Sequence, residues 1–202
     1  MRIITGKARG TKLDSLPGED TRPTAERVKE GVFSAIQFDI EGRKVLDLFG
    51  GSGQMALEAL SRGARNAVIV DNNRKAAEII RSNASKTGLF SECRTICSDW
   101  RDFIKSAAGR YRFDLVFLDP PYKDGFLDEV IKRVSEKGLL DSGCILVCES
   151  GESGIPVPPE GFSARLYRYG KVCVSILQSS GAAKDETSEK GEALKEGGAD
   201  IL

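Results

Sequence analysis

The sequence contains no histidine, and this absence excludes more chemistry than any other feature of its composition. Histidine-based general-base catalysis, Ser-His-Asp triads and most zinc sites all need an imidazole, so none of them is expected. The sequence also lacks an apolar run near the roughly 18 residues of a membrane span. Its first residues lack the apolar core of a signal peptide. We therefore expect no metal site and no membrane association.

The cysteines form no C-x-x-C pair, and their number, five, is odd. Two C-x3-C spacings, Cys93 to Cys97 and Cys144 to Cys148, fall in predicted strands, and Cys173 stands alone. We interpret all five as buried free thiols, which are typical of the reducing cytoplasm.

Neither sign of charge is in excess, because 30 lysines and arginines balance 30 aspartates and glutamates. The distribution is uneven, however. Residues 1–13 carry four basic residues and no acid, whereas residues 181–202 carry six acids against three lysines. Since the last part of the chain has almost no apolar content, residues 179–202 are predicted to be a disordered acidic tail.

A chain of 202 residues is long enough for one domain that buries roughly 70% of its unfolded surface. From residue 41 to about 178, short apolar strands alternate with amphipathic helices. This alternation predicts an α/β domain with a largely parallel sheet and helices on both faces. The predicted strands span residues 44–49, 67–71, 93–97, 113–118 and 144–148, and a closing hairpin spans 164–178.

Residues 1–40 are predicted to form a small extension of this domain. Arg2–Thr5 and Thr11–Leu13 can pair as a hairpin across a glycine-containing turn. Thr24 then has the position of a helix N-cap, with Pro23 just before it, and apolar residues recur at helical spacing to about Gln37.

A glycine-rich turn, Gly50-Gly51-Ser52-Gly53, follows the first predicted strand. Glycines let the backbone approach a ligand closely, and the next helix offers free amides at its N-terminus. The spacing fits neither G-x-G-x-x-G nor G-x-x-x-x-G-K-[ST], and no lysine follows to hold a phosphate. A dinucleotide and a nucleoside triphosphate are therefore disfavoured as ligands.

Acidic residues stand at the ends of three successive predicted strands, at Asp47, Asp71 and Asp99. Asp47 could meet a cationic ligand, and Asp71 lies about 20 residues on, where nucleoside-binding α/β folds hold ribose hydroxyls. Asp99 and Trp100 suit an exocyclic amine and a ring face. Alternatively, Asp71 and Asp99 cap the following helices and Trp100 is a core residue. The three acids together with the glycine turn favour a cationic adenosine compound.

The strand at 113–118 ends abruptly at Asp119-Pro120-Pro121-Tyr122. Proline has no amide hydrogen and a fixed φ, so the two prolines end the strand and hold the next peptide rigid. A carboxylate, exposed carbonyls and an aromatic ring are then presented at the sheet edge where open α/β folds bind ligands. The same residues could be only a strand end and a loop tyrosine, but the glycine turn and the acids favour a site.

These features resemble the class I S-adenosylmethionine-dependent methyltransferases, and the D-P-P-Y segment resembles those that methylate exocyclic or amide nitrogens. More narrowly, residues 1 to about 178 resemble the RsmD family of bacterial 16S ribosomal RNA guanine-N2 methyltransferases. The segments that carry this resemblance are Arg2-Ile3-Ile4-x-Gly6 with Arg9-Gly10, Thr21-Arg22-Pro23-Thr24-x-Glu26-Arg27-Val28, Val45-Leu46-Asp47-Leu48-Phe49 and Leu57-Glu58-Ala59-Leu60-Ser61-Arg62-Gly63-Ala64. The chain departs from the family at Gly50, where alanine is usual, in Gln54-Met55-Ala56, and at Ser150, where histidine is frequent.

The resemblance implies a Rossmann-like class I fold with a mostly parallel seven-stranded sheet. Residues 41–178 are then the catalytic domain that binds S-adenosylmethionine, and residues 1–40 contact RNA. The implied partner is 16S ribosomal RNA or an assembling small ribosomal subunit, and we expect a cytoplasmic monomer.

The resemblance also implies roles for single residues. Catalysis falls to Asp119, Pro120 and Tyr122: the carboxylate and the Pro120 carbonyl accept hydrogen bonds from the target amine, and the ring stacks on the base. The implied cofactor residues are Asp47, Phe49, Gly50, Gly51, Ser52, Gly53, Asp71, Asn72, Asp99 and Trp100. The implied RNA-binding residues are Arg9, Arg22, Thr24, Arg27 and Tyr122.

Two other interpretations stay open. Adenine N6 in DNA or RNA and the side-chain amide of glutamine also present an NH2 group beside a planar acceptor, and the D-P-P-Y segment does not separate these substrates. A non-catalytic RNA module that holds an adenosine ligand would not need that segment. The Thr21-Arg22-Pro23-Thr24 segment favours the ribosomal guanine.

Overall fold

The computed structural model describes residues 1–16, 23–120 and 126–180, with the side chains of residues 23–25 and 153 excepted. Within these ranges one sheet is covered by helices on both faces. The helices are α1 (Pro23–Ala35), α2 (Gln54–Ser61), α3 (Arg74–Lys86), α4 (Trp100–Ala107) and α5 (Phe126–Glu136). The strands are β1 (Lys44–Asp47), β2 (Asn66–Asp71), β3 (Cys93–Cys97), β4 (Phe113–Leu118), β5 (Leu140–Gly151), β6 (Phe162–Tyr169) and β7 (Val172–Ser179).

The seven strands lie in the order β3-β2-β1-β4-β5-β7-β6. The first five in this order are parallel to their neighbours, and β7 is antiparallel to both β5 and β6. From β1 the chain adds β2 and β3 towards one edge of the sheet, and from β4 it adds the remaining strands towards the other edge. The boundary between β1 and β4 is therefore the switch point, where open α/β sheets bind ligands. The predicted mostly parallel seven-stranded sheet is confirmed. In the described ranges, no helix has the length and apolar content that crossing a membrane would require.

Alternate residues of each central strand face two separate hydrophobic cores. Val45 of β1 packs with α1, α2 and α3, whereas the next residue, Leu46, packs with α4 and α5. Because side chains alternate between the two faces of a strand, a strand covered on both faces must be apolar throughout. This explains the uninterrupted apolar runs that identified the strands in the sequence.

Several element boundaries differ from the predictions. Strand β1 ends at Asp47 rather than at residue 49, and β5 begins at Leu140 rather than at residue 144. The first part of β5 was not predicted because residues 141–143 are not apolar. Leu140 pairs with Phe113, and the register between β4 and β5 shifts before the next pair, Leu115 with Ile145. The predicted N-terminal hairpin is reduced to one antiparallel bridge, between Arg2 and Lys12.

The start of α1 was predicted two residues too late, because an N-cap at Thr24 places the first helical residue at position 25. The helix begins at Pro23, so Thr24 lies in its first turn and is not the N-cap. A proline is well tolerated at this first position, because the amide hydrogen it lacks would have no partner within the helix.

The cysteines are all free, but their burial is only partly as predicted. Cys144, Cys148 and Cys173 are buried, Cys93 is half-buried and Cys97 is exposed. The prediction is wrong for Cys97 because β3 is an edge strand and Cys97 is its last residue.

The N-terminal segment is joined to α1 and α2 by Glu58, which is fully buried in α2. Its carboxylate accepts hydrogen bonds from the amides of Ile4 (2.7 Å) and Thr5 (3.0 Å) and from Arg62 Nε (2.8 Å). The ammonium of Lys29 lies 3.2 Å from Glu58 and donates to the carbonyl of Arg2 (2.8 Å). Burial lowers the pKa of Lys29, although the Glu58 carboxylate opposes this shift. One buried ion-pair cluster thus holds three segments together.

The predicted division between residues 1–40 and residues 41–178 is a statement about function and stays a prediction. In the structure, Ile3 and Leu13 are buried in the same core as α1, α2 and α3. Residues 181–202 of the predicted acidic tail lie outside the described residues.

Replacing Glu58 with glutamine should strongly destabilise the fold. The Glu58→Gln change leaves the buried Lys29 ammonium without its anion, and breaking a buried pair in this way costs roughly 3–5 kcal/mol. The free energy of unfolding, measured by denaturant titration, should fall by about this amount.

The matched control is Glu92→Gln, because Glu92 pairs with Lys7 at the surface. An exposed pair contributes about 0–1 kcal/mol, so this variant should unfold almost like the parent chain. Equal losses in the two variants would contradict the role assigned to Glu58.

Candidate active site

The register of the parallel strands brings the strand-end acids to one edge of the sheet. Asp47 stands level with Ile69 of β2 and with Phe117 of β4. Asp71 and Asp119 therefore each lie two residues beyond the level of Asp47, on its two sides. Because parallel strands end at the same edge, the three carboxylates belong to one region of the surface.

A cleft of about 860 Å³ opens at this edge. The predicted site residues that line it are Asp47, Phe49, Gly50, Gly51, Ser52, Asp71, Asn72, Asp99, Trp100, Asp119 and Pro120. Gly53 does not line it. Sequence reasoning missed the lining residues Met1, Leu48, Gln54, Met55, Ser98, Arg101, Phe117 and Phe126.

The glycine turn is held in shape by its own backbone and by β2. The amide of Gly50 donates to the carbonyl of Val70 (2.8 Å), and the amide of Gly53 donates to the carbonyl of Gly50 (2.6 Å). Gly53 has a φ of 79° at the N-cap of α2, a conformation that favours glycine. Its role is therefore to turn the chain into the helix, which explains why it does not face the cleft.

The packing around Gly50 leaves no room for a methyl group. A Cβ atom on Gly50 would lie 2.4 Å from Cγ2 of Ile69 and 3.3 Å from the carbonyl oxygen of Val70. Ile69 is fully buried in the core, so it could not move aside without disturbing the sheet.

Asp47 is only 3% exposed and lies at the bottom of the cleft. Burial is the main cause that raises the pKa of its carboxyl to about 7; hydrogen bonds from the amides of Ala56 and Phe49 oppose this shift, and the nearby Asp71 charge adds to it. No described cation forms an ion pair with Asp47. The hydrogen bonds from these two backbone amides link the end of β1 to the start of α2. The carboxyl of Asp47 stays available to a cationic ligand.

Asp71 connects β2 to the glycine turn. Its Oδ2 accepts from the amide of Gly51 (2.8 Å), and its Oδ1 accepts from the amide of Asn73 (2.8 Å). The helix α3 is capped by Asn73, whose side chain accepts from the amide of Lys75 (2.9 Å). The alternative role of Asp71 as the cap of α3 is therefore wrong. Each carboxylate oxygen has a second lone pair, so this half-buried group can still accept from a ligand hydroxyl.

Asp99 and Trp100 do have the structural roles that were the alternatives. Asp99 caps α4, and its Oδ1 accepts from the amide of Arg101 (2.8 Å). Trp100 is 6% exposed and packs in the core, with its ring centroid 5.5 Å from that of Phe126 and 6.5 Å from that of Phe49. The guanidinium carbon of Arg101 lies 4.3 Å from the Trp100 centroid. Both residues line the cleft as well, so Trp100, Phe49 and Phe126 form an aromatic wall.

The D-P-P-Y segment starts where it was predicted to start, since β4 ends at Leu118. Asp119 is exposed and Pro120 is buried, and both line the cleft. Pro121 and Tyr122 lie outside the described residues, so stacking by Tyr122 stays a prediction.

Of the predicted RNA-binding residues, Arg9 and Arg27 are those whose side chains the structure describes, and neither lines the main cleft. Exposed Arg9 lines a hollow of about 210 Å³ beside α1, and exposed Arg27 lines a second cleft of about 720 Å³. Glu30 lines both. Arg22 and the side chain of Thr24 lie outside what the structure describes.

The family model described as "Conserved hypothetical protein 95" matches residues 1–178. The chain belongs to the RsmD family. Ribosomal RNA small subunit methyltransferase D of Escherichia coli K12 is 34% identical to it over 180 residues, which are 88% of this chain and 89% of the relative. The protein of the same name from Haemophilus influenzae is 32% identical over 164 residues, 81% of this chain and 85% of the relative.

Solved structures resemble this RsmD-family chain over most of its length. The structure of the putative methyltransferase yhhF from Escherichia coli is 31% identical in sequence and has a TM-score of 0.80. The aligned region covers 90% of this chain and 99% of that one. A conserved hypothetical protein of Streptococcus pyogenes is 34% identical, with a TM-score of 0.69 over 75% of this chain and 95% of that one. An RNA methyltransferase of Salinibacter ruber, solved with S-adenosyl-L-homocysteine, has a TM-score of 0.60 at 16% identity, covers 83% of this chain and 100% of that one, and shows the shared fold.

The raised pKa of Asp47 predicts how the stability of the ligand-free protein depends on pH. Its ordinary value is 3.8 and its folded value is about 7, so the unfolded state releases the proton first as the pH rises. Between these two values this group should lower the free energy of unfolding by about 1.4 kcal/mol per pH unit, and above pH 7 its effect should level off.

The Asp47→Asn variant lacks this titration, so its stability relative to the parent chain should rise by a few kcal/mol from pH 4 to pH 7. Denaturant unfolding across this range measures the difference between the two proteins. A constant difference would show that Asp47 titrates at an ordinary pKa.

Proposed function

We propose that this chain transfers a methyl group from S-adenosylmethionine to the exocyclic N2 of a guanine in 16S ribosomal RNA. The observation that carries the proposal is that Asp119 and Pro120, at the end of β4, line the same cleft as Asp47, Asp71 and the glycine turn. An acceptor pair for an amine and a set of groups suited to a cationic adenosine ligand thus share one cavity. Family membership and the relatives named as small-subunit ribosomal RNA methyltransferases support the choice of substrate.

The residues of the cleft fit S-adenosylmethionine. The cleft volume of about 860 Å³ is within the range of small-molecule sites, roughly 300–1,000 Å³. Asp47 would hold the cationic amino-acid end of the ligand, Asp71 the ribose hydroxyls and Asp99 the adenine amine, beside the aromatic wall. When bound, the ligand supplies an electrophilic methyl group on a positively charged sulfur.

The protonation state of Asp47 matters for this fit. In the absence of a ligand its pKa is about 7, so near neutral pH the buried carboxyl is only partly ionised. A cation beside it favours the charged form, so binding draws the proton off this group.

The acceptor side of the cleft addresses the weak nucleophilicity of the guanine amine, whose lone pair is delocalised into the ring. The Asp119 carboxylate and the Pro120 carbonyl would accept one hydrogen bond each from the two amine protons. These bonds orient the nitrogen and favour a more pyramidal geometry, with the lone pair directed at the methyl group. Positioning and exclusion of water would then supply most of the rate. The mechanism does not require Asp119 to act as a base, because the proton can leave to water.

Replacing Asp119 should abolish the reaction without removing the cofactor site. The Asp119→Ala variant loses one of the two acceptors that orient the amine, so methyl transfer should fall by about a hundredfold or more. The assay follows tritiated methyl groups from S-adenosylmethionine into small ribosomal subunits that lack the modification. Calorimetry with S-adenosyl-L-homocysteine should give the parent dissociation constant.

The control is Asp102→Ala, since Asp102 is an exposed acid of α4 that does not line the cleft. Turnover of the Asp119 variant equal to that of this control would refute the role of Asp119. Mapping the labelled nucleotide tests the substrate separately: label on guanine N2 supports the proposal, and label on an adenine or on a protein glutamine contradicts it.

A further inference from the structure

The helix α3 contains a fully buried asparagine, Asn83, to which the sequence analysis gave no role. The other buried residues of this helix are small or apolar: Ala76, Ala77, Ile80 and Ala84. Burying an amide is costly unless its polar atoms are hydrogen-bonded. The partners of Asn83 therefore show what its burial achieves.

The side-chain amide of Asn83 joins two segments that are far apart in the chain. Its Nδ2 donates to the carbonyl of Ser52 (2.9 Å) and to the carbonyl of Asp14 (2.9 Å). Its Oδ1 accepts from the backbone amide of Asp14 (2.9 Å). Both protons of the Asn83 NH2 group are therefore used. Because all three partners are backbone atoms, Asn83 fixes the main chain at Ser52 and at Asp14, whatever their side chains do.

Both of these segments contribute to the wall of the active-site cleft. Ser52 belongs to the glycine turn, is 4% exposed and lines the cleft. Asp14 directly follows Leu13, whose amide donates to the carbonyl of Met1 (3.0 Å), and Met1 also lines the cleft. Asn83 thus connects the glycine turn to the segment that places Met1 in the cleft wall.

The same N-terminal segment, residues 1–14, is a part of the chain on which RNA contacts are predicted. It carries four basic residues, Arg2, Lys7, Arg9 and Lys12, and Asp14 is its one acid. Arg9 is exposed and is the residue of this segment that the family resemblance assigns to RNA. An RNA bound here and a cofactor bound at the glycine turn therefore act on two segments that one buried contact joins.

We propose that Asn83 is a positioning residue that couples RNA binding to cofactor binding. The inference rests on the proposed function, since it concerns the same RNA and the same cofactor. RNA contacts favour the arrangement of the N-terminal segment in which Met1 lies in the cleft wall, and the cofactor favours it too because that wall is part of its site. Neither segment can shift alone without leaving buried polar groups unpaired, so each ligand should strengthen the binding of the other.

The test measures the dissociation constant for small ribosomal subunits that lack the modification, without and with saturating S-adenosyl-L-homocysteine. Co-sedimentation of the protein with the subunits gives both values. In the parent chain the first constant should exceed the second by about fivefold or more, the lower end of typical coupling. In Asn83→Ala this ratio should fall below about two, since the buried link is lost. The ratio cancels any loss that affects both constants equally, so a purely structural defect would not change it.

A second variant, Asn83→Thr, carries the same test if the alanine variant does not fold, which far-UV circular dichroism at the assay temperature decides. Threonine is close to asparagine in size, but its hydroxyl has one proton. It therefore cannot donate to the carbonyls of Ser52 and Asp14 together, and its ratio should also lie below about two.

Two controls separate coupling from stability. Val134→Ala removes a fully buried side chain from the core on the other face of the sheet. Asp14→Ala removes an ion pair with Lys86 but keeps the backbone groups that Asn83 binds. Both should keep the parent ratio.

A parent ratio near unity would overturn the proposal, as would an Asn83 variant that keeps the parent ratio or a control that loses it. Failure of the proposed function would look different, because the parent chain would then transfer no methyl group to RNA.

Discussion

The register of the parallel strands β1, β2 and β4 determines where each chemical group of the cleft lies. Backbone hydrogen bonds set Asp47 two residues deeper than Asp71 and Asp119. A slip of one residue in any of these strands would turn its side chains to the opposite face and disperse the acids. That register is maintained by apolar residues far from the chemistry, such as Val45 and Leu115, which fill the core between the sheet and its helices.

Two buried carboxylates illustrate how the surroundings decide what an acid does. Glu58 is surrounded by the cations of Lys29 and Arg62 and by two backbone amides, so it is paired on every side and acts as a structural anchor. Asp47 accepts hydrogen bonds from backbone amides and lies beside a second acid, Asp71. The effect of burial therefore outweighs that of the hydrogen bonds, and the pKa of Asp47 rises. A group left in that state is poised to accept a positive charge, and this matches its position at the bottom of the cleft.

Most of the fold could be predicted from the sequence, because apolar runs mark strands buried on both faces and glycines mark the turns. The strand-end acids and the end of β4 at Asp119 were predictable for the same reason, since strands in parallel sheets end together. The partners of single side chains were not. Phe126 reaches the cleft only because α5 packs on the same face of the sheet as α4, against Phe49 and Trp100, and its residue type gives no sign of this. The role of Glu58 depends on a segment more than 50 positions earlier in the chain. The capping of α4 by Asp99 was foreseen only as an alternative, since a single acid before a helix serves either purpose.

The uneven burial of the cysteines makes one of them a practical reporter. Cys97 is exposed, and its sulfur lies 3.9 Å from the carbonyl oxygen of Asn72 on the rim of the cleft. Burial raises the pKa values of Cys93, Cys144 and Cys148, which keeps these thiols protonated and slow to react. A thiol-reactive fluorophore should therefore attach first to Cys97. Its emission would then follow the filling of the neighbouring cavity in an otherwise unaltered protein, without a radioactive donor or a ribosomal substrate.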